Sequence, residues 1–138
     1  MNSIFKIFFK LRKVKKKRVR RNHGQYIREK QKAFNIAKER LEHFNKFYNY
    51  KWSKIVIRNQ KTRWGSCSKK GNLNFNYKIV LLPPETVDYI IVHELCHLRE
   101  FNHSQNFWAL VAQTIPNYKI IKQKLKNNPF NLTENGVK

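Results

Sequence analysis

His93-Glu94-Leu95-Cys96-His97, continued by Leu98-Arg99-Glu100-Phe101-Asn102-His103, is the stretch on which the reading of this chain turns. It closes a largely apolar run, Val87 to Val92, that Pro83-Pro84-Glu85 introduces. Histidines at i and i+4 lie about one helical turn apart on one face, near enough for both imidazoles to reach a single metal ion. The glutamate after the first histidine points roughly 100° further round the helix, so it stands beside the metal and can polarise a bound water. Such a pattern also arises by chance on exposed helices, where the histidines are merely solvated. Here Ile91, Leu95 and Leu98, spaced i, i+4, i+7, form a core-facing stripe roughly opposite His93 and His97. Polar groups on the other flank of a half-buried helix need partners, and a metal supplies them.

A catalytic metal site usually takes three protein ligands and leaves one position for water. After His97 the carboxylates are Glu100 and Glu134. Glu100 belongs to the same helix, which makes tetrahedral closure awkward, and Glu134 sits in a polar tail. His103 is the better third ligand, because the chain can turn after Glu100 and bring its imidazole back over the helix. The spacing His93, His97, His103 is that of the metzincins. Their turn glycine is replaced by Glu100, however, and Met1 is the one methionine, so no Met-turn exists. Asn102, which tolerates the left-handed region, is expected to make the turn.

At 138 residues the chain is long enough for one domain with a modest core. Its formal net charge of +22 predicts attraction to polyanions such as nucleic acid, anionic membrane or nucleotide phosphates, although scattered lysines are more often simply solvated. Cys67 and Cys96 have no CxxC partner, so a separate structural zinc site is not expected; with no secretory signal, two thiols point to a reducing, cytoplasmic setting. Cys96 reads as a small buried residue rather than a ligand. Met1 to Leu11 lacks an uninterrupted apolar region, and no segment reaches the length of a transmembrane span. Ile4, Phe5, Phe8 and Phe9 beside lysines suit either an interfacial anchor or an element packed on the domain.

Lys10 to Arg21 is almost wholly basic, which reads as a solvated arm or a nucleic-acid contact, and Asn22-His23-Gly24 reads as a break. From Gln25 to Tyr48 the recurrence of Phe34, Ala37, Leu41, Phe44 and Tyr48 predicts a scaffold helix. Short strands are expected over Lys54–Arg58, Lys61–Ser68, Leu73–Asn76 and Lys78–Leu82, with a turn at Lys69-Lys70-Gly71-Asn72. Pro83-Pro84 then opens the histidine helix. Ser104 is an N-cap for a helix from Gln105 to about Ile115, with Phe107, Leu110 and Val111 on its inner face, and Tyr118–Leu125 is a final basic helix. The fold class is therefore α+β: a scaffold helix and a small, mostly antiparallel sheet of three or four strands on the histidine helix, then two C-terminal helices. The expected division is a basic arm over 1–24, the domain over 25–126 and a flexible tail over 127–138.

Arg63-Trp64-Gly65-Ser66-Cys67-Ser68, Gly71-Asn72-Leu73-Asn74, the Pro-Pro pair, Val92 to Leu98, Asn102-His103-Ser104 and Phe107-Trp108 occur in this order. Together they closely resemble the YgjP-like metallopeptidase domain family, relatives of the SprT and WLM zincin-like proteins. The resemblance spans roughly residues 58–125. It implies a minimal zincin fold, one zinc ion on His93, His97 and His103, and Glu94 as general base. It also implies a member with a shortened region upstream of the scaffold helix. Trp64 reads as a core or wall residue, and Gly65 allows a close approach of the backbone. Arg63 and Tyr77 are candidates for stabilising a developing oxyanion, against surface salt-bridging and core packing as the plainer readings.

The leading expectation is a zinc-dependent hydrolase, a metallopeptidase acting on peptide or protein substrates. A phosphoanhydride hydrolase acting on nucleotides suits the charge, but no Gly-rich phosphate loop is present and the ligand set is imidazole-rich. A third reading is a nucleic-acid-associated protease docked by the basic arm. Zinc as a mere structural staple fits poorly, because such a site has no need of Glu94 and normally closes with four protein ligands.

Overall fold

The computed structural model describes residues 3–128, 130 and 132, with side chains from residue 23 onward. Helix α1 (Ser3–Tyr48) is 46 residues long, about 69 Å at 1.5 Å per residue. The break expected at Asn22-His23-Gly24 is absent. A glycine in a helix interior costs only about 1 kcal/mol relative to alanine, and α1 continues through Gly24 and the basic block to Ser3. The side chains of Ile4, Phe5, Phe8 and Phe9 lie outside the described residues. Ala33, Ala37, Leu41, Phe44 and Tyr48 form the buried stripe of α1, and the two alanines let the helix approach its neighbours closely. The helix stops at Asn49, which takes φ +56°. Asn45 locks this end, its side chain donating to the Tyr50 carbonyl and accepting from the Tyr50 amide, both at 2.8 Å.

Among the described residues the sheet has three strands, β1 (Lys54–Arg58), β2 (Gly65–Cys67) and β3 (Asn72–Asn76), in the order β1-β3-β2. It is mixed rather than mostly antiparallel. The Ser68–Gly71 turn, with Gly71 at φ +79°, returns β3 antiparallel to β2, pairing Gly65 with Phe75 and Cys67 with Leu73. The chain has by then reversed twice, so β3 runs parallel to β1, with Ile55 opposite Leu73 and Ile57 opposite Phe75. Leu73 and Phe75, both fully buried, explain why β3 takes the centre of the sheet.

The apolar run Lys78–Leu82, expected as a strand, belongs to a 3-10 helix, Tyr77–Leu81. Periodicity does not separate the two in so short a run. Asn76 decides it. Its side-chain oxygen caps the Lys78 amide at 3.1 Å, and its amide group donates to the carbonyls of Gln60 (2.9 Å) and Arg63 (3.1 Å). This fully buried side chain thus turns the chain out of β3 and anchors the segment that leads into β2.

Helix α2 (Pro84–Cys96) has Pro84 in its first turn, where the missing amide hydrogen costs nothing. It is buried nearly all round from Thr86 onward, not only on the Ile91–Leu95 stripe. Arg40 of α1 grips Asp88 of α2 through two hydrogen bonds, the Nη2–Oδ2 arm at 2.8 Å, and so fixes the two helices relative to each other. Helix α3 (Gln105–Thr114) starts at its expected cap, the Ser104 hydroxyl accepting from the Phe107 amide at 3.4 Å. Helix α4 (Tyr118–Lys126) inserts Ile121 and Leu125 into the core. The chain does not fray at once beyond it. The Asn128 side chain donates to the carbonyls of Leu125 and Leu132 and accepts from the amides of Phe130 and Leu132. Leu132 is buried, and the Phe130 ring stands edge-on to Trp64 at 5.9 Å.

Candidate metal centre

His93 and His97 stand one turn apart on α2, and His97, the C-cap, keeps helical backbone angles (φ −65°, ψ −18°), so both imidazoles leave the same face. The chain then tightens. The amides of Leu98 and Arg99 bond three residues back, to Leu95 (3.1 Å) and Cys96 (3.0 Å). That turn aims the Glu100 carbonyl at His97 Nδ1, 2.9 Å away. An Nδ1–H donating to a carbonyl leaves the Nε2 lone pair free for a metal. Asn102 is not left-handed, since Asn49 is the only non-glycine described residue with positive φ. The turn expected of Asn102 is made by the tightened end of α2 instead.

The Nε2 atoms of His93, His97 and His103 form an equilateral triangle, 3.1 Å on each side. Hydrogen bonding cannot explain that arrangement. Each neutral imidazole nitrogen offers either one proton or one lone pair, so three nitrogens that all approach one another cannot all be satisfied. One cation at the centre satisfies all three. Among the described residues these three histidines are the group able to hold a metal ion. The Glu100 carboxylate is not part of it, and Glu134 lies outside the described residues.

The surroundings disfavour protonation of His97 and His103. Burial pushes His97 down to about 4, with the neighbouring His103 lowering it further against the opposing pull of the Glu100 carbonyl. Burial also lowers His103, as does the Lys122 ammonium. The walls are aromatic: Phe107 stacks on His97 with centroids 4.3 Å apart, and Trp108 stacks on His103 at 5.7 Å. Sequence reasoning assigned Phe107 to the core and missed that it and Trp108 line the site. The signal available was an aromatic pair directly after a histidine and an N-cap.

Glu94 is 1 % exposed and lies against β2. A Cβ on Gly65 would stand 2.8 Å from both Cγ and Oε1 of Glu94 and 3.1 Å from the Asn74 carbonyl. The close approach expected at Gly65 is therefore the approach of a carboxylate to the edge strand of the sheet. Ser66 serves the sheet, its hydroxyl accepting from the Asn74 side chain across β2 and β3 at 3.1 Å. Burial pushes the Cys67 and Cys96 thiols up to about 12, so neither supplies a thiolate. Tyr77 is fully buried against α1, edge-on to Tyr26 at 5.6 Å, and is not among the residues gathered round the histidines. Arg63 is half-buried, and the hydrogen bond the structure gives it is at its carbonyl, held by Asn76.

Two buried imidazoles on one helix and a third on the loop beyond it, with a carboxylate on the same helix packed against the edge of a small sheet, define the metal-dependent peptidase class. The chain belongs to the YgjP-like metallopeptidase domain family, whose model matches residues 5–128. This is wider than the region the motifs span, and it takes in most of α1. Among solved structures it is similar to the metallopeptidase zymogen of Pyrococcus abyssi abylysin, with 27 % identity and a TM-score of 0.63 over 70 % of this chain and 98 % of that one. Comparison with curated proteins gives no match.

Two consequences can be measured. Gly65→Ala should displace the Glu94 carboxylate without removing any histidine, so the variant should keep its metal and lose at least about tenfold in kcat; unchanged turnover would contradict the close packing. The second concerns pH. His97 has a native value of about 4 against an ordinary 6.5, so between these the unfolded chain binds more protons and stability rises with pH. The metal-free protein should accordingly lose stability as pH falls from 6.5 towards 4, read from urea midpoints across that window. A flat profile would mean that the imidazole is not held neutral.

Proposed function

We propose that this domain hydrolyses peptide bonds, using one zinc ion held by His93, His97 and His103 and Glu94 as the general base. The observation that carries this reading is the triangle of Nε2 atoms. Around a tetrahedral zinc with Zn–N bonds of about 2.0–2.1 Å, ligand nitrogens stand about 3.3 Å apart, close to the 3.1 Å found here. An all-imidazole donor set favours zinc over magnesium or calcium, which prefer oxygen. Three protein ligands leave the open position a catalytic site needs.

Zinc held by these three histidines would lower the pKa of a water ligand to about 7 and polarise the scissile carbonyl. Glu94, held against Gly65, takes the proton from the attacking water and passes it to the leaving amine, acting as base and then as acid. Strand β2, at the sheet edge and next to Glu94, is suited to hold an extended peptide by strand addition. Arg63 is retained as a candidate contact to the developing oxyanion. Burial of Tyr77 against α1 favours the packing role for that side chain.

To test this, zinc-loaded wild type and Glu94→Gln are incubated with an unfolded protein, and separately with a nucleoside triphosphate. Wild type should cut the protein, and Glu94→Gln should bind zinc equally well with turnover lower by about 10²–10⁴-fold. Full activity in the variant refutes Glu94 as base. Hydrolysis of the triphosphate alone transfers the site to phosphoanhydride chemistry.

The basic block favours a second reading, that the enzyme docks on nucleic acid. From Lys10 to Arg21 the backbone is helical and the sequence almost wholly basic, a charge density that attracts phosphates. Binding to duplex DNA should then weaken steeply with salt and disappear when these cations are replaced by glutamine. Salt-independent binding, or none, removes nucleic acid as the partner.

A further inference from the structure

The three histidines are not held alike. His93 and His97 ride on a buried helix and are 2 % and 0 % exposed, and His97 is also locked by the Glu100 carbonyl. His103 stands on the loop between α2 and α3, outside regular structure and exposed. Metal-binding imidazoles are normally oriented by a carbonyl or carboxylate on the far ring nitrogen. Among the described residues no such group is hydrogen-bonded to His103 Nδ1, and the hydrogen-bond-length contacts of this ring are those of Nε2 with His93 and His97.

What orients His103 is a stack of rings. Trp108 lies nearly parallel to it, with centroids 5.7 Å apart and planes 22° apart. Phe107 closes from the side, edge-on at 5.0 Å. Trp108 is itself fixed from α4. Tyr118 stacks on it at 5.0 Å with an 11° angle, and Lys122 Nζ stands 4.1 Å from its ring centroid. Tyr118 and Lys122 are one turn apart, on a face of α4 adjoining that of the buried Ile121 and Leu125, which anchor the helix in the core. An ammonium over an indole face is an attractive contact, so α4 holds the indole although it contributes no ligand.

We propose that Trp108, clamped by Tyr118 and Lys122 of α4, is the positioning residue for His103, supplying by ring stacking the orientation that a hydrogen bond supplies for His97. The proposal rests on the three-histidine metal centre above and assigns a metal-binding role to a helix that contributes no ligand. Stacking restrains the tilt of the imidazole, so the third nitrogen meets the other two without first being ordered by the metal. Loss of the stack therefore appears as weaker metal binding, not as a change in the chemical step once metal is bound.

The test is zinc affinity, measured by competition with a chromogenic chelator on the full chain, beside the unfolding midpoint of the metal-free protein. Trp108→Leu should raise the zinc Kd by about 10- to 100-fold, the range for removing an outer partner of a metal ligand. Trp108→Phe, which keeps a flat ring, should restore most of the affinity. Tyr118→Leu, which removes the ring stacked on Trp108 and no charge, should raise Kd by about 2- to 10-fold, the size of one aromatic pair. Lys119→Met, exposed on α4 and making no ring contact, should match wild type. A wild-type Kd in folded Trp108→Leu overturns the proposal. If that variant does not fold, a wild-type Kd in folded Tyr118→Leu overturns it equally. Wild type that binds no zinc brings down the metal centre itself, a failure visible before any variant is made.

Discussion

Three imidazole nitrogens within 3.1 Å of one another, at least two of them on fully buried rings, are an arrangement a protein interior does not adopt without compensation. Burying polar groups costs free energy unless each finds a partner, and three converging lone pairs cannot partner one another. The remainder of the structure offsets that cost or prepares the cation that removes it. Burial on α2 lowers the affinity of His97 for protons, the Glu100 carbonyl fixes its tautomer, and the rings of Phe107 and Trp108 fill the space that water would otherwise occupy. A site that refuses protons and offers lone pairs is a site prepared for a metal.

Rigid placement of α2 follows from the same need. The helix is gripped from α1 by the Arg40–Asp88 pair, a two-pronged contact on side chains 29 % and 20 % exposed. Partial burial strengthens such a pair relative to the surface ion pairs Lys38–Glu42 and Lys124–Glu85. The sheet contributes at one point, where Gly65 of β2 lacks the Cβ that would collide with the Glu94 carboxylate. Asn76 sets that point indirectly, since its side chain holds the carbonyls of Gln60 and Arg63 and so delivers the chain into β2 at the correct height. A small fold can thus bring three imidazoles and a carboxylate together because few elements share the task, each through one or two contacts.

The positive charge is distributed unlike the residues of the candidate metal centre. Between Lys10 and Arg21 there is no acidic residue, and the first acidic residue of the chain is Glu29. The chemistry, by contrast, is gathered within residues 65–108. The sequence therefore sets its cationic segment apart from the residues that gather at the three histidines. Long-range attraction of a polyanion by the former does not require any change in the latter.

The sequence alone determined the local parts: the α2 histidines from their i, i+4 spacing, the cap at Ser104, the first-turn proline at Pro84, the stripe of the scaffold helix, and the α+β class. These are readable because each depends on residues within about one turn. His103 was legible as the third member by its spacing, since a loop of that length can return to the helix it leaves. Tertiary structure decided what depends on distant partners. The parallel pairing of β1 with β3 follows from which strand buries Leu73 and Phe75 at the centre. The 3-10 turn at Tyr77–Leu81 follows from where Asn76 finds carbonyls 13 and 16 residues away. Tyr77 went to the face of α1 rather than to the site, because a large ring gains more from full burial beside Tyr26 than from a place at a polar rim. The duties of Gly65, Trp108 and Lys122 appear only once strand, loop and helix have been brought together, since no periodicity in the chain records which ring will lie over which.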